Sequence, residues 1–557
     1  MPSHIQFAEP TLKKKAVRPS RRETRDNITS EEKGSTQRTL SPGSEIVYPT
    51  GWRLILTTIG LLIGFFLSNL DVTIVSSSLT NITDSLDGFE KRSWIITGYL
   101  ATYTGFMAIW TKASDIIGRK QTTIAALVIL LAFSIGCGCA QTVDQLHWRC
   151  RCIRARNSLH IRDCPKTRLP TYSGIMSCCL ALACLIGPII GGALAGDSAW
   201  RWVFLINAPL CAIAIAIIMI AMPKNFGLDQ HTPSFRTRAS YRSFANLDLV
   251  GSVLMIIGSF LIVTVLNETN LAFSWVSGSA IVLLVLTGVS WVAFFAWEWY
   301  ISGIPGKDPI FPKRWFFDRP WMGILITSFV TGAPFNVVLV YVPQQAQILL
   351  DKSPLDSGIY LIGYSAVAAA AAALINIISS KGRIPFIYSL LVGCVIHTVG
   401  VGLLSTIATS KGFHATDVVY GVIAGIGMGL ILGVLMLATP YIVEDRDLAI
   451  GTGTVVQLRF LGGAIGLAIA SNILNGHLSH HLKGVLSSHE LHLFLENVKS
   501  ITHLSPQLQE QVKGVLAESY TTQLRVMIGF AAVQLPAVFL LIKPGQRQLA
   551  ADRVAAG

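Results

Sequence analysis

The sequence predicts an all-helical protein that crosses a lipid bilayer many times, and three observations predict it. Thirteen apolar stretches, each about as long as a bilayer is thick, recur between Trp52 and Ile542. Crossing ~30 Å of hydrocarbon takes roughly 20 mostly apolar residues in a helix, and only helices or closed barrels satisfy their own backbone there. The stretches are continuous, without the every-second-residue alternation of barrel strands. The composition agrees: 52% hydrophobic and 13% charged residues lie far outside the range of soluble domains, and 48 glycines let neighbouring helices approach closely.

Taken in order, residues 1–50 are polar, carry Lys13, Lys14, Lys15, Arg21, Arg22 and Arg25, and lack the apolar core of a signal peptide. They read as a disordered basic cytosolic tail able to touch anionic lipid. Spans near 54–76, 93–113, 122–141, 174–196 and 202–222 make an N-terminal bundle over 51–222. Spans near 246–267 and 276–297 form an inserted pair within 223–320, with cytosolic linkers on either side. Spans near 321–343, 355–377, 386–407, 417–438, 450–474 and 523–542 make a C-terminal bundle over 321–542, and 543–557 is a cytosolic tail.

Thirteen crossings conflict with the loop charges, and fourteen do not. With a further crossing between 142 and 173, the basic loops (Arg119 and Lys120; Arg236, Arg238 and Arg242; Lys313 and Arg314) all fall on the side of the two termini. The candidate fourth span cannot insert as written. A helix over 146–164 buries Arg149, Arg151, Arg154, Arg156 and Arg162, at roughly 2.5–3.5 kcal/mol for each central arginine. Residues 144–172 are therefore read as a frame-shifted or mis-spliced stretch, with an arginine-rich cytosolic loop as the other reading. The loop 475–522 is expected outside the membrane. The sequons at Asn81 and Asn267 fall in loops that fourteen spans place outside, which makes both glycosylation candidates.

The net charge of +13 sits between apolar runs rather than in a nucleic-acid patch. Five cysteines crowd into 137–164, two on an apolar run and the others in the anomalous stretch 144–172, and the six histidines in 475–522 lack the spacing of a tight metal site. No metal or other cofactor is expected. No Walker A pattern and no nucleophile–base constellation is present, so the chain is read as neither ATP-driven nor an enzyme.

Several strings resemble one family, the major facilitator superfamily, and within it the fourteen-span drug:proton antiporters, most closely fungal toxin and secondary-metabolite exporters. Asn69-Leu70-Asp71-Val72-Thr73-Ile74-Val75 matches the first-span signature L-D-x-T-I-V. Thr111 to Lys120 aligns with motif A, G-x-L-A-D-R-x-G-R-K, keeping Asp115, Gly118, Arg119 and Lys120 but departing at Thr111, Ala113, Ser114 and Ile116. Ile186-Gly187-Pro188-Ile189-Ile190-Gly191-Gly192 matches the antiporter motif C, with Ala183 in place of a preceding glycine. Trp200 to Pro209 (WRWVFLINAP), Ser353 to Gly358 (SPLDSG) and Arg459 to Gly466 (RFLGGAIG) match later features. Motif B, an arginine on the fourth span followed by Q-G, is missing. The resemblance implies two six-span bundles plus the inserted pair, a monomer in the plasma membrane with both termini cytosolic, and export driven by the proton gradient.

The residues support these roles physically. Asp71 lies deep in an apolar run, where a bare carboxylate is expensive and protonation relieves the cost, so it is the leading proton-site candidate; a solvated or capping Asp is the other reading. The charges of motif A can bridge helix ends in one conformation and part in the other, with Gly118 permitting the tight turn. Gly187-Pro188 and Gly191-Gly192 put a kink and a flat surface into one span, suited to helices that move against each other. Arg459 is the basic residue well inside a span; it tunes a carboxyl in proton coupling, binds an anionic substrate, or pairs structurally. Asp248, Glu268 and Glu298 are expected to be solvated at span ends. The leading function is proton-coupled efflux of a small hydrophobic metabolite, toxin or drug. The alternatives are a fourteen-span symporter for siderophores, a vacuolar amino-acid carrier, and a non-transporting sensor or the inactive product of a damaged gene.

Overall fold

The computed structural model describes residues 51–86, 92–143, 145–146, 169–195, 199–223, 248–269, 272–304, 307, 309–380, 385–407, 415–444, 447–482 and 505–542. The chain builds α1 Trp52–Ser85, α2 Arg92–Ile117, α3 Arg119–Gly138 and α4 Leu169–Leu194. A 3₁₀ turn at Ala199–Arg201 leads into α5 Trp202–Leu205 and α6 Asn207–Ala221. Next come α7 Leu249–Glu268, α8 Gly278–Ile301, the short α9 Arg314–Phe317, α10 Arg319–Leu349 and α11 Pro354–Ser380. Last are α12 Phe386–Leu404, α13 Ala415–Ile442, α14 Leu448–His481 and α15 Pro506–Phe539. Among the described residues there is no β-strand, and 11 helices are long and apolar enough to cross a membrane. Each of the thirteen predicted spans falls on one of these helices or on the α5–α6 pair.

The helices associate in two groups. α1 packs against α4 and α6, and α3 against α6; α10 through α15 pack among themselves. The groups meet along two long seams, α4 against α11 and α2 against α14. α7 lies across the second seam, touching both α2 and α14, with α8 outside it. α8 has few protein neighbours, and its exposed Val282, Val285, Val289 and Val292 recur at helical spacing, as a lipid-facing stripe must. α10 is the opposite case. Nearly all its residues from Pro320 to Ile348 are buried, and it stays helical through Pro334 and Pro343 because its neighbours enclose the freed backbone groups.

The structure corrects the expectations for one loop, for two acidic residues and for both sequons. The predicted loop 475–522 is helical at both ends: α14 continues to His481, and α15 begins at Pro506. Buried Val512, Leu516, Tyr520 and Leu524 recur every four residues, giving this stretch an amphipathic face that average hydropathy misses. Pro506 at the first helical position starts α15. Of its six histidines, His477, His480 and His481 end α14, while His489, His492 and His503 lie outside the described residues. No group of metal-binding side chains occurs among the described residues.

Asp248 and Glu298 are not solvated; they are 2% and 0% exposed. Asp248 caps α7, accepting from the Gly251 N–H (2.8 Å) and from Trp297 Nε1 (2.7 Å). Glu298 accepts from the Phe311 N–H (2.9 Å), because the segment after α8 folds back under a cluster of Phe295, Phe311 and Phe316. Glu268 likewise accepts from Trp94 Nε1 of α2 (2.7 Å). Both sequons sit in helices rather than loops. The Asn81 amide donates to Ala195 O (2.6 Å), and Asn267, fully buried, donates to Val263 O (2.9 Å). A glycan on either nitrogen would have to break these bonds. The expectations for 1–50, for most of 144–172 and for 543–557 fall outside the described residues.

Candidate functional site

Asp71 sits on α1, buried, among residues drawn from three other helices. Asn207 Nδ2 donates to Asp71 Oδ1 (2.7 Å) and contacts Ser134 Oγ on α3 (3.2 Å). The sequence places Asn207 there through a break. Pro209 has no N–H to offer the carbonyl four residues back, the helix interrupts at Ile206 between α5 and α6, and Asn207 begins the new segment turned inward. Beside Asp71 lies a cavity of about 30 Å³ lined by Val72, Val75, Ile95, Ile96, Tyr99 and Phe204. That volume holds a water or two and no metabolite. A buried carboxyl held by an amide beside a water-sized cavity has the chemistry to carry an exchangeable proton.

Asn207 and Ser134 were missed by sequence reasoning, although a polar residue beside a proline in an apolar run is a usable signal. Replacing Asn207 by Ala is expected to remove one charge-assisted hydrogen bond, about 1.5–3 kcal/mol, from the ionised form of Asp71. The pH profile of activity should then move to higher pH, since the protonated form loses less. An unchanged profile would show that the bond does not bear on the protonation of Asp71.

Motif A lies at the opposite end of α2 and α3 from motif C. Gly118, at φ +109°, joins the two helices in a conformation that side-chain-bearing residues rarely adopt. Lys120 Nζ donates to Met219 O (2.7 Å) and Met222 O (2.6 Å), capping the carbonyls that end α6. Arg119 is buried; the Asp115 side chain lies outside the described residues.

Motif C is divided between two partners. A Cβ on Gly187 would collide with Thr73, and one on Gly191 with Ser77 and with Ile74 O at 2.5 Å, so both glycines seat α4 on α1. Gly192 faces the other way: its Cβ would lie 2.5 Å from Leu355 Cα on α11. Gly358 of α11 returns the fit, approaching Pro188 O (2.5 Å from an added Cβ). The same end of the molecule is tied by Gln347, which donates to Ser77 O (3.0 Å) and Ser357 Oγ (2.8 Å), and by Ser76 donating to Leu339 O. Ser365 Oγ donates to Cys184 O (3.2 Å) further along the α4–α11 seam. The two groups are thus in contact at the end where α1 and α4 finish.

Arg459 occupies the other seam. Its guanidinium carbon lies 5.3 Å from the Phe460 ring centroid, and Phe460 meets Tyr103 of α2 edge-on at 4.3 Å. Asp71 lies on α1, against which motif C seats α4; Arg459 is reached from the Asp71 cavity along α2, through Tyr99 and Tyr103.

The sequence model of the Major Facilitator Superfamily matches residues 162–467. The MFS-type transporter FPY5 of Fusarium mangiferae is 34% identical over 520 residues, 92% of this chain and 87% of that protein. The efflux pump dotC of Dothistroma septosporum is 29% identical, covering 75% of this chain and 70% of its own. Among solved structures, a bacterial homolog of the human lysosomal transporter Spinster, inward-facing and unoccupied, superposes with a TM-score of 0.58 at 14% identity, over 88% of this chain and 98% of that one. At that identity the likeness is one of fold alone.

Proposed function

Because the chain belongs to the major facilitator superfamily, and is a membrane transporter rather than an enzyme, we propose that it exports a small hydrophobic metabolite or toxin in exchange for protons. The reading places it in the plasma membrane of a fungal cell, both termini cytosolic, with a fungal secondary metabolite as cargo. The observation that carries it is Asp71: a buried carboxyl on the first helix, held by Asn207 beside a cavity of water size. Such a site suits a proton and not the cargo, so the two would bind apart and be coupled through the movement of the helices between them. Relatives named as efflux pumps and the glycine-lined motif C favour export over import.

In this reading the end closed by Gly192, Leu355 and Gln347 is the outer one. Opening it would let protons reach Asp71 and cargo leave; closing it would return Asp71 to the cytosolic side, where the proton departs. Motif A, with Lys120 fastened to the end of α6, would work at the inner end.

The test compares small molecules inside and outside cells with and without this gene. Export predicts a compound that accumulates in the deletion strain and fades from its medium. A compound left unconsumed in the medium of the deletion strain would turn the reading to import, and unchanged pools would remove the transport reading.

A further inference from the structure

We propose that Arg459 is the recognition point for the cargo, and that the cargo is an organic anion: an aromatic or conjugated carboxylic acid or acidic phenol. The proposal rests on the export reading only in calling the ligand cargo; the anion site itself stands on geometry.

Arg459 lies eleven residues into α14, about 16 Å along the helix axis from its start, too deep for its head group to reach the membrane surface. Its helix cannot shift to relieve this. Added Cβ atoms on Gly462, Gly463 and Gly466 would strike Phe329 O, the Asn336 amide and Ala333 Cα, so one face of α14 lies in backbone contact with α10. Gly332 of α10 approaches the Arg459 carbonyl as closely.

No carboxylate among the described residues pairs with Arg459; Arg314 is paired with Asp447 and Lys513 with Asp351. Its neighbours are the Phe460 ring and, by electrostatic interaction, Tyr103. A ring face offsets only a small part of the cost of holding a cation away from water. Asp71, buried on α1 beside Tyr99 of α2, is engaged by Asn207. Taken as a whole residue, Arg459 is half-buried in the seam.

Two features fix the class of ligand. An arginine offers a planar fork that matches a carboxylate or phenolate and repels amines. Phe460, half-buried and backed edge-on by the buried Tyr103, borders it with an apolar ring against which an aromatic acid can pack. Their placement gives the site a use. Tyr103 and Phe460 come from the two helix groups, so an anion at Arg459 would sit where the groups meet. Tyr103 lies one turn along α2 from Tyr99, which lines the Asp71 cavity, so cargo and proton would act on the same helix.

The test is equilibrium binding to the purified full-length protein in lipid nanodiscs, which needs no transport and so fails independently of the export reading. The probes are 1-naphthoate and its neutral counterpart 1-naphthamide, titrated calorimetrically. The acid should bind saturably and about tenfold or more tightly than the amide, as expected for one charge-assisted hydrogen-bonded pair. Arg459→Gln should remove that preference while leaving amide binding in place, and Arg459→Lys should keep part of it. Equal affinity of acid and amide in the wild-type protein would overturn the proposal, as would no saturable binding of the acid. An acid preference surviving in Arg459→Gln would assign it elsewhere. Should Arg459→Gln not fold, the wild-type comparison and Arg459→Lys still decide.

Discussion

Asp71→Asn is expected to bring pH-driven transport in proteoliposomes to background while the protein inserts and remains folded. The reason is local. An asparagine at position 71 keeps a carbonyl oxygen where Oδ1 accepts from Asn207 (2.7 Å), and it fills the same space beside the 30 Å³ cavity. What it loses is the exchangeable proton. The cost of burying an ionised carboxyl in the membrane also disappears, so stability should hold or rise slightly. The same variant should still exchange labelled for unlabelled cargo at equal pH on the two sides, because that cycle needs no net proton movement. Full accumulation under a pH gradient would remove Asp71 from the coupling role and leave its burial as a packing matter.

Gly192→Leu should abolish transport by a different route. The new Cβ would sit 2.5 Å from Leu355 Cα, 2.8 Å from its nitrogen and 2.8 Å from Pro354 O. These are backbone atoms in the first turn of α11. Ser353 and Asp356 lock that turn by a reciprocal cap, Ser353 Oγ to Asp356 Oδ2 at 2.7 Å and Asp356 N to Ser353 Oγ at 3.1 Å. No rotamer change relieves the collision; α11 has to move away from α4, which holds that end of the seam apart. Overpacking of this kind costs about 1–3 kcal/mol. The loss of activity should therefore far exceed the loss of melting temperature.

Gly191→Leu is the contrast. Its collisions are with Ser77 and Ile74 of α1, inside one helix group, so the expected result is poor folding and low yield. Gly288→Leu on α8, where nothing lies within 4 Å, should do neither. If Gly192→Leu transports at the wild-type rate, the α4–α11 seam does not have to open and close.

Much of this molecule was legible from its sequence. The helices appear where hydropathy places them, because a backbone in hydrocarbon must satisfy itself within one segment, and that makes a span a local property. Asp71 could be singled out for the same reason: a carboxyl in an apolar run stands out with no partner in view. The failures also share a cause. The start of α15 was taken for loop because only one of its faces is apolar. Asp248 and Glu298 were taken for solvated because their partners are distant in sequence: Trp297 bonds Asp248 from 49 positions away, and Phe311 bonds Glu298 from 13.

Sequence alone determined that this is a many-span helical transporter with Asp71, the motif A charges, the motif C glycines and Arg459 as its marked residues. Tertiary structure alone decided what each of them faces. It gave Asp71 to Asn207, 136 positions away, set Gly187 and Gly191 against α1 but Gly192 against α11, and placed Arg459 against an aromatic ring, with no carboxylate partner among the described residues. The reason is that a helix satisfies its own backbone whichever way it is rotated about its axis. Only contact with other helices fixes that rotation, and with it which side chains meet.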